Sequence, residues 1–201
     1  MSLEAALGYS KEHIERTRQR ILDHAGELFR RFGYRGVGID KIMNAADLTR
    51  GGFYAHFKSK SELFQKVVAE KFDYTNQITR LKSAEPTDQG GRALFAIRHY
   101  LGAHTRDHIG LACTMAASAV DVANSDEKTK AAFEARMIEL LSEMKALFAE
   151  DGVVLGDEQV QSILALSVGG LVLARACTEG TATDMLDACY NAIEDGVRSR
   201  A

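Results

Sequence analysis

The stretch Gly38-Ile39-Asp40-Lys41-Ile42-Met43-Asn44-Ala45-Ala46-Asp47-Leu48-Thr49-Arg50-Gly51-Gly52-Phe53-Tyr54-Ala55-His56-Phe57 decides how this chain is read. It contains two short runs of helical spacing, about Ile39 to Ala46 and Arg50 to His56, joined by a tight turn. Ile39, Ile42 and Met43 point one way from the first run, and Leu48, Phe53 and Phe57 can close over them. Asp47 falls where the turn demands a left-handed backbone, which Asp tolerates less well than Gly. Thr49 is placed to cap the second run. That run presents the small residues Gly51, Gly52 and Ala55 beside Arg50, Tyr54 and His56. Small residues let a helix backbone press into a DNA major groove, and an arginine at its N-terminal end reaches a guanine edge bidentately. Tyr54, His56 and Lys60 carry groups that bond phosphate oxygens, and the first N–H groups of the helix add a positive dipole end. A purely structural hairpin accounts for the packing but not for this cluster.

The flanks agree. Upstream, Ile14, Ile21, Leu22, Ala25, Leu28, Phe29 and Phe32 recur at helical spacing and predict a helix from about Lys11 to Phe32, with Gly33 as a left-handed C-cap. Downstream, Ser59-Lys60-Ser61-Glu62 is a capping box, followed by an apolar face of Leu63, Phe64, Val67, Val68 and Phe72. Residues 11–60 hold eleven Lys/Arg against six Asp/Glu, a net +5, so the rest of this −3 chain is at −8. A basic end on an acidic body suits an encounter of that end with a polyanion.

These residues resemble the tetracycline-repressor (TetR) family. The family pattern of a basic amphipathic first helix closing on F-x-x-x-G-[YF] is present as Phe29-Arg30-Arg31-Phe32-Gly33-Tyr34. Its "DKI" opening is Asp40-Lys41-Ile42. Its pattern [ST]-[KR]-G-x-[LF]-Y-x-[HY]-F-x-[SN]-K-x-x-L is matched by Thr49, Arg50, Gly51, Phe53, Tyr54, His56, Phe57, Ser59, Lys60 and Leu63. The likeness covers about Thr17 to Val68. It implies that Arg50, Gly51, Gly52 and Tyr54 approach bases, that Thr49, His56 and Lys60 hold phosphates, and that the segment Gly38 to Lys41 touches the DNA backbone. The DNA-binding set is then Gly38, Ile39, Lys41, Thr49, Arg50, Gly51, Gly52, Phe53, Tyr54, His56 and Lys60. Two positions depart from the family: Gly38 lacks the usual hydroxyl, and Asp47 replaces the usual turn glycine.

The expected fold is all-α. A three-helix helix-turn-helix DNA-binding domain covers 11–58, with its motif at about 38–57, and joins a larger helical ligand-binding and dimerisation domain over 59–201. A break is expected at Ser83 to Gly91, where Pro86 and Gly90-Gly91 lie. Helices then follow at about Arg92 to Ile109, Cys113 to Ala123, Asp126 to Ala149, Asp157 to Cys177 and Thr183 to Arg198. Val160 to Ala174 is apolar on nearly all sides, and Thr183 to Val197 offers it a partner stripe. In similar proteins the last two long helices pair into a four-helix bundle between protomers. The expected interface is Ile163, Leu166, Gly169, Gly170, Leu173, Met185, Cys189 and Ile193. An intramolecular core is the alternative. A small-molecule site of the kind such regulators carry has candidates in His99, Tyr100, His104, His108, Cys113, Met115, Phe133 and Met137.

Composition sets the outer bounds. At 46% hydrophobic and 26% charged the chain is ordinary for a globular protein, and its longest weakly polar stretch, Ser162 to Ala174, is shorter than the ~20 residues of a membrane span. Cys113, Cys177 and Cys189 are odd in number and lack metal-ligand spacing, so each is expected to be a small buried hydrophobe in a reducing bacterial cytoplasm. No metal or cofactor is expected. Gly-rich phosphate loops, HExxH, GxSxG and paired catalytic carboxylates are all missing, which argues against an enzyme. The expected partners are double-stranded operator DNA, a second copy of the chain and a small-molecule effector, with no membrane. Repression is the default of the resemblance; the sequence leaves activation, and a protein-binding helical module, as alternatives.

Overall fold

The basic first helix forms as its periodicity requires. α1 (Lys11–Phe32) buries Ile21, Leu22, Ala25 and Phe29 on one face. It ends at Gly33, whose φ of +70° is the left-handed cap and whose N–H bonds Phe29 O at 2.9 Å. Ile14 and Phe32 leave the expected stripe and are exposed. The Phe32 ring instead receives the Lys41 ammonium 3.4 Å from its centroid.

The computed structural model describes residues 11–70, 91–111 and 113–199, and every regular element among them is helical. After α1 come α2 (Ile39–Ala45), a 3-10 helix (Arg50–Ala55), α3 (Lys60–Glu70), α4 (Gly91–Tyr100), α5 (Ala103–Asp107), a 3-10 turn (Ile109–Leu111), α6 (Thr114–Ala123), α7 (Glu127–Glu150), α8 (Asp157–Arg175) and α9 (Glu179–Arg198). Phe72 and the break expected from Ser83 through Gly90 lie outside the described residues. The all-helical architecture, with its helix-turn-helix at the N-terminal end of a larger helical body, is the one the sequence predicts.

Helix ends follow local chemistry. Asp126 caps α7 by accepting the Thr129 N–H at 2.9 Å, and Gly152, at φ +82°, turns the chain after it. Ser59 Oγ accepts the Glu62 N–H at 3.0 Å, while the Glu62 carboxylate reaches back one residue further than expected, to Lys58 N–H at 2.6 Å. The single helix expected from Arg92 to Ile109 is broken. Gly102 is extended (φ −104°, ψ 163°) and starts α5, and Thr105 Oγ1 donates to His99 O at 3.2 Å. A glycine with poor helix propensity and a hydroxyl that bonds the preceding turn together end α4. α8 stops two residues before the expected Cys177, and α9 starts four before Thr183.

Two hydrophobic clusters result. One, under the helix-turn-helix, combines Ile21, Leu22 and Phe29 with Ile42, Met43, Phe53 and Phe57, then Leu63, Phe64, Val67 and Val68 of α3. Its Phe29 and Phe64 rings meet edge to face at 5.3 Å. This cluster runs past residue 58 and takes in Val122 of α6, so no clean boundary falls at 58/59. The second joins α4, α7, α8 and α9 around Leu94, Ile97, Leu147, Phe148, Leu171 and Leu186. Between the two, Arg30 Nε donates to Gly110 O (2.8 Å), Tyr34 N–H to Asp121 Oδ2 (2.7 Å) and Ser61 Oγ to Asp126 Oδ2 (3.0 Å). Those bonds, with α3 lying on α7, fix the head on the body.

Candidate nucleic-acid interface

The segment 50–55 is a 3-10 helix of six residues rather than the two α-turns expected. Asp47 supplies the turn before it with φ 54°, the left-handed conformation its position demands. Thr49 occupies the N-cap position in an extended conformation, but its side chain makes no capping bond; Gly52 N–H bonds Thr49 O instead, at 3.0 Å. So short an element divides its side chains sharply. Phe53 is fully buried, packed edge to face on Tyr54 (5.2 Å) and tilted on Phe57 (5.8 Å). Tyr54, its neighbour, is 60% exposed. Arg50, Gly51 and Ala55 are exposed with it, and a Cβ on Gly51 would meet nothing within 4 Å. A flat, small-residue surface with an arginine at its N-terminal end and a phenol beside it is shaped to enter a groove.

The expected DNA-binding set is thereby sorted. Thr49, Arg50, Gly51 and Tyr54 share the exposed face, and Gly38 and Lys41 are exposed at the start of α2. Phe53 is corrected: a side chain with no accessible surface anchors the segment and contacts no DNA. Ile39 is half-buried against the head cluster, and a Cβ on Gly52 would lie 3.7 Å from Met43 Cε, so both serve packing as well. Lys60 has a structural role as well. Its ammonium donates to Tyr34 O (2.9 Å) and Val37 O (3.0 Å) and sits 4.2 Å from the Tyr34 ring centroid. The cation thus clasps the turn before α2, and burial pushes its pKa down. His56 is half-buried, and burial, then the Arg18 charge, lowers its pKa.

Asp40 is the residue that sequence reading missed. Its Oδ2 accepts from Arg50 Nη1 at 2.9 Å, so the groove-facing guanidinium is held from the first turn of α2. No helical spacing links positions ten apart; only the turn at Asp47 brings them together.

In the body, the eight pocket candidates divide between the interior and the surface. Tyr100, Cys113 and Met115 belong to the buried cluster, with Phe133 and Met137 packed against it. His99, His104 and His108 are exposed, their rings 6.1 and 4.6 Å apart in succession, and His108 Nδ1 lies 3.0 Å from His104 O. Two cavities of about 340 Å³ lie elsewhere. One is lined by Arg106, Asp107, Ile109, Ala174, Arg175, Cys177 and Glu179. The other is lined by Arg31, Phe32, Asp107, His108, Ile109 and Gly110, which includes one candidate, His108.

The eight interface candidates also separate. Ile163, Gly170, Cys189 and Ile193 are buried inside the protomer, where a Cβ on Gly170 would lie 2.6 Å from Cys189 Sγ. The close approach that Gly170 permits is made within the chain, between α8 and α9. Leu166, Gly169 and Leu173 are on the outer side of α8 with Val172, and Met185 is half-buried. Cys113 and Cys189 are buried as expected, whereas Cys177 is exposed, and all three are free thiols. Among the described residues no group of three or more His, Cys, Asp or Glu is arranged to hold a metal, and no helix is long and apolar enough to cross a membrane.

Comparison with known proteins places this geometry. A profile of the bacterial regulatory proteins of the tetR family matches residues 21–67. The HTH-type transcriptional regulator AcrR of Shigella flexneri is 43% identical over 58 residues, covering 29% of this chain and 27% of that protein. The negative transcriptional regulator IcaR of the Staphylococcus aureus biofilm operon icaADBC is 34% identical over 61 residues, 30% of this chain and 33% of its own. The match thus spans about a third or less of these two relatives' length. A TetR transcriptional regulator from Chloroflexus aurantiacus superposes with a TM-score of 0.71 at 21% identity, covering 94% of this chain and 98% of that one, a likeness of fold.

Proposed function

We propose that this chain, a TetR-family regulator by its N-terminal domain, is a homodimeric repressor that grips a palindromic operator through Thr49–His56 and lets go when a small molecule occupies its body. One observation carries the reading: Arg50, Gly51 and Tyr54 stand outward on a segment that the fully buried Phe53 pins to the head. A rigid, low, donor-bearing surface of that kind reads base edges. Thr49 and Lys41, with the backbone at Gly38, flank it as phosphate contacts. The naming of a similar protein as a negative regulator supports repression. The dimer is supported by the apolar outer face of α8, with Leu166, Val172 and Leu173 exposed around Gly169, since two heads related by a two-fold axis match a palindrome. A protein with this role works where the DNA is, in the cytoplasm.

The test is selection of bound duplexes from a random pool at physiological salt with excess competitor. Recovery of an inverted-repeat motif is expected, with affinity that falls steeply as salt rises. Recovery of no motif by folded, dimeric protein overturns the reading.

A further inference from the structure

The cavity between α5 and the α8–α9 junction holds two arginines that the fold partners unequally. Arg106, whose side chain is 10% exposed, is claimed by two acids: Nε and Nη2 bond Asp107 (2.6 and 3.1 Å), and Nη2 also bonds Glu179 Oε2 (2.9 Å). Arg175, half-buried on the same wall, has carbonyls instead. Its Nε donates to Arg106 O (3.2 Å) and its Nη2 to Thr105 O (2.9 Å), and no carboxylate lies within ion-pair distance among the described residues. Burial lowers its pKa for want of a counter-charge. On both arginines Nη1 lacks a partner among the described residues. Ile109, half-buried, adds an apolar side chain to the lining.

We infer that this cavity is a binding site for a small monocarboxylate, its carboxylate held by Arg175 and Arg106 and its apolar part set against Ile109. Guanidinium groups favour planar carboxylates, and about 340 Å³ is at the lower end of small-molecule sites. Asp107 and Glu179 leave the four charged groups of the lining with no net charge, so a singly charged anion is favoured over phosphate and other multiply charged ones. The site also has a route to the head. Asp107 and Ile109 line the neighbouring cavity with Arg31 and Phe32 of α1, and Gly110 O is the acceptor of Arg30. A ligand that draws Arg106 away from Asp107 shifts the segment that holds α1. This effector role rests on the repressor reading; the binding site itself does not.

Calorimetric titration of the full chain with acetate, benzoate and octanoate, each beside its amide and beside inorganic phosphate, tests the site. Expected is saturable binding of at least one monocarboxylate at one per chain, with at least tenfold weaker binding of its amide and of phosphate. Arg175→Gln is expected to lose at least tenfold in affinity. Because that change also removes bonds to α5, Cys177→Trp serves as a second variant: it fills the mouth from an exposed position, leaves both arginines in place, and is expected to give the same loss. Absence of saturation by every carboxylate, equal binding of the amides, or wild-type affinity in a folded Cys177→Trp protein overturns the inference. Operator release by the bound carboxylate is measured separately, so the titration decides the site even for a protein that selects no operator.

Discussion

Two pairs of neighbouring residues, one in the head and one in the body, divide their work in the same way. Phe53 is sealed in the head cluster while Tyr54 faces solvent; Gly170 touches Cys189 while Gly169 faces open space. In the head, the division is enforced by an element of six residues, where one aromatic must pack and the next cannot. In the body it is enforced by register along a helix of 19 residues, apolar on both its inner and outer sides. Both members of the first pair are aromatic and both of the second are glycine, so position on the element is what separates them.

The pairs make the comparison breakable. The largest effect is expected at Phe53→Ala, which empties a fully buried aromatic site and costs about 3–5 kcal/mol, read from denaturant unfolding. Tyr54→Ala changes stability by no more than about 0.5 kcal/mol and removes operator binding. Equal stability of the two variants breaks the inside–outside assignment. In the body, alanine at either glycine gains the same helix propensity, so the difference between the variants isolates contact. Gly170→Ala is expected to be less stable than Gly169→Ala by about 1–3 kcal/mol, because a Cβ there meets Cys189 Sγ at 2.6 Å. Leu173→Glu, on the outer face, leaves thermal unfolding of the protomer intact and yields monomers by sedimentation.

Smaller effects sharpen the seam and the first turn of α2. The bonds from Thr129 and Ser61 hold the Asp126 carboxyl below its ordinary range. A depressed folded pKa gives stability that is present above the unfolded value, about 3.9, and lost as pH falls through the folded one. Asp126→Ala therefore lowers the melting temperature at neutral pH, and its gap from the parent protein closes below about pH 4. The smallest effect is at Gly38, an extended N-cap with open space around its Cα. Gly38→Ser is expected to add a few tenths of a kcal/mol in stability and a hydroxyl for phosphate.

Much of the fold was legible because its punctuation is local. Gly33, Asp47, Ser59, Asp126 and Gly152 each announce a helix end by their own chemistry, and each sits at one. What the sequence hid is non-local. Nothing in the sequence marks that the turn at 34–37 places two carbonyls over the Lys60 ammonium. Asp40 meets Arg50 only through the geometry of the intervening turn. Likewise, the apolar run of α8 carries no mark of which side meets α9, and a Thr105 hydroxyl six residues from its acceptor helps to break a helix that periodicity would continue.

The central claim is that the exposed face of residues 50–54 reads DNA. Its most direct test is the operator affinity of Arg50→Ala and Tyr54→Ala, measured against salt beside the parent protein, with the unfolding transition checked in each. The account predicts a loss of tight operator binding in both variants, with unfolding unchanged. Parental affinity in both, with the fold intact, contradicts it.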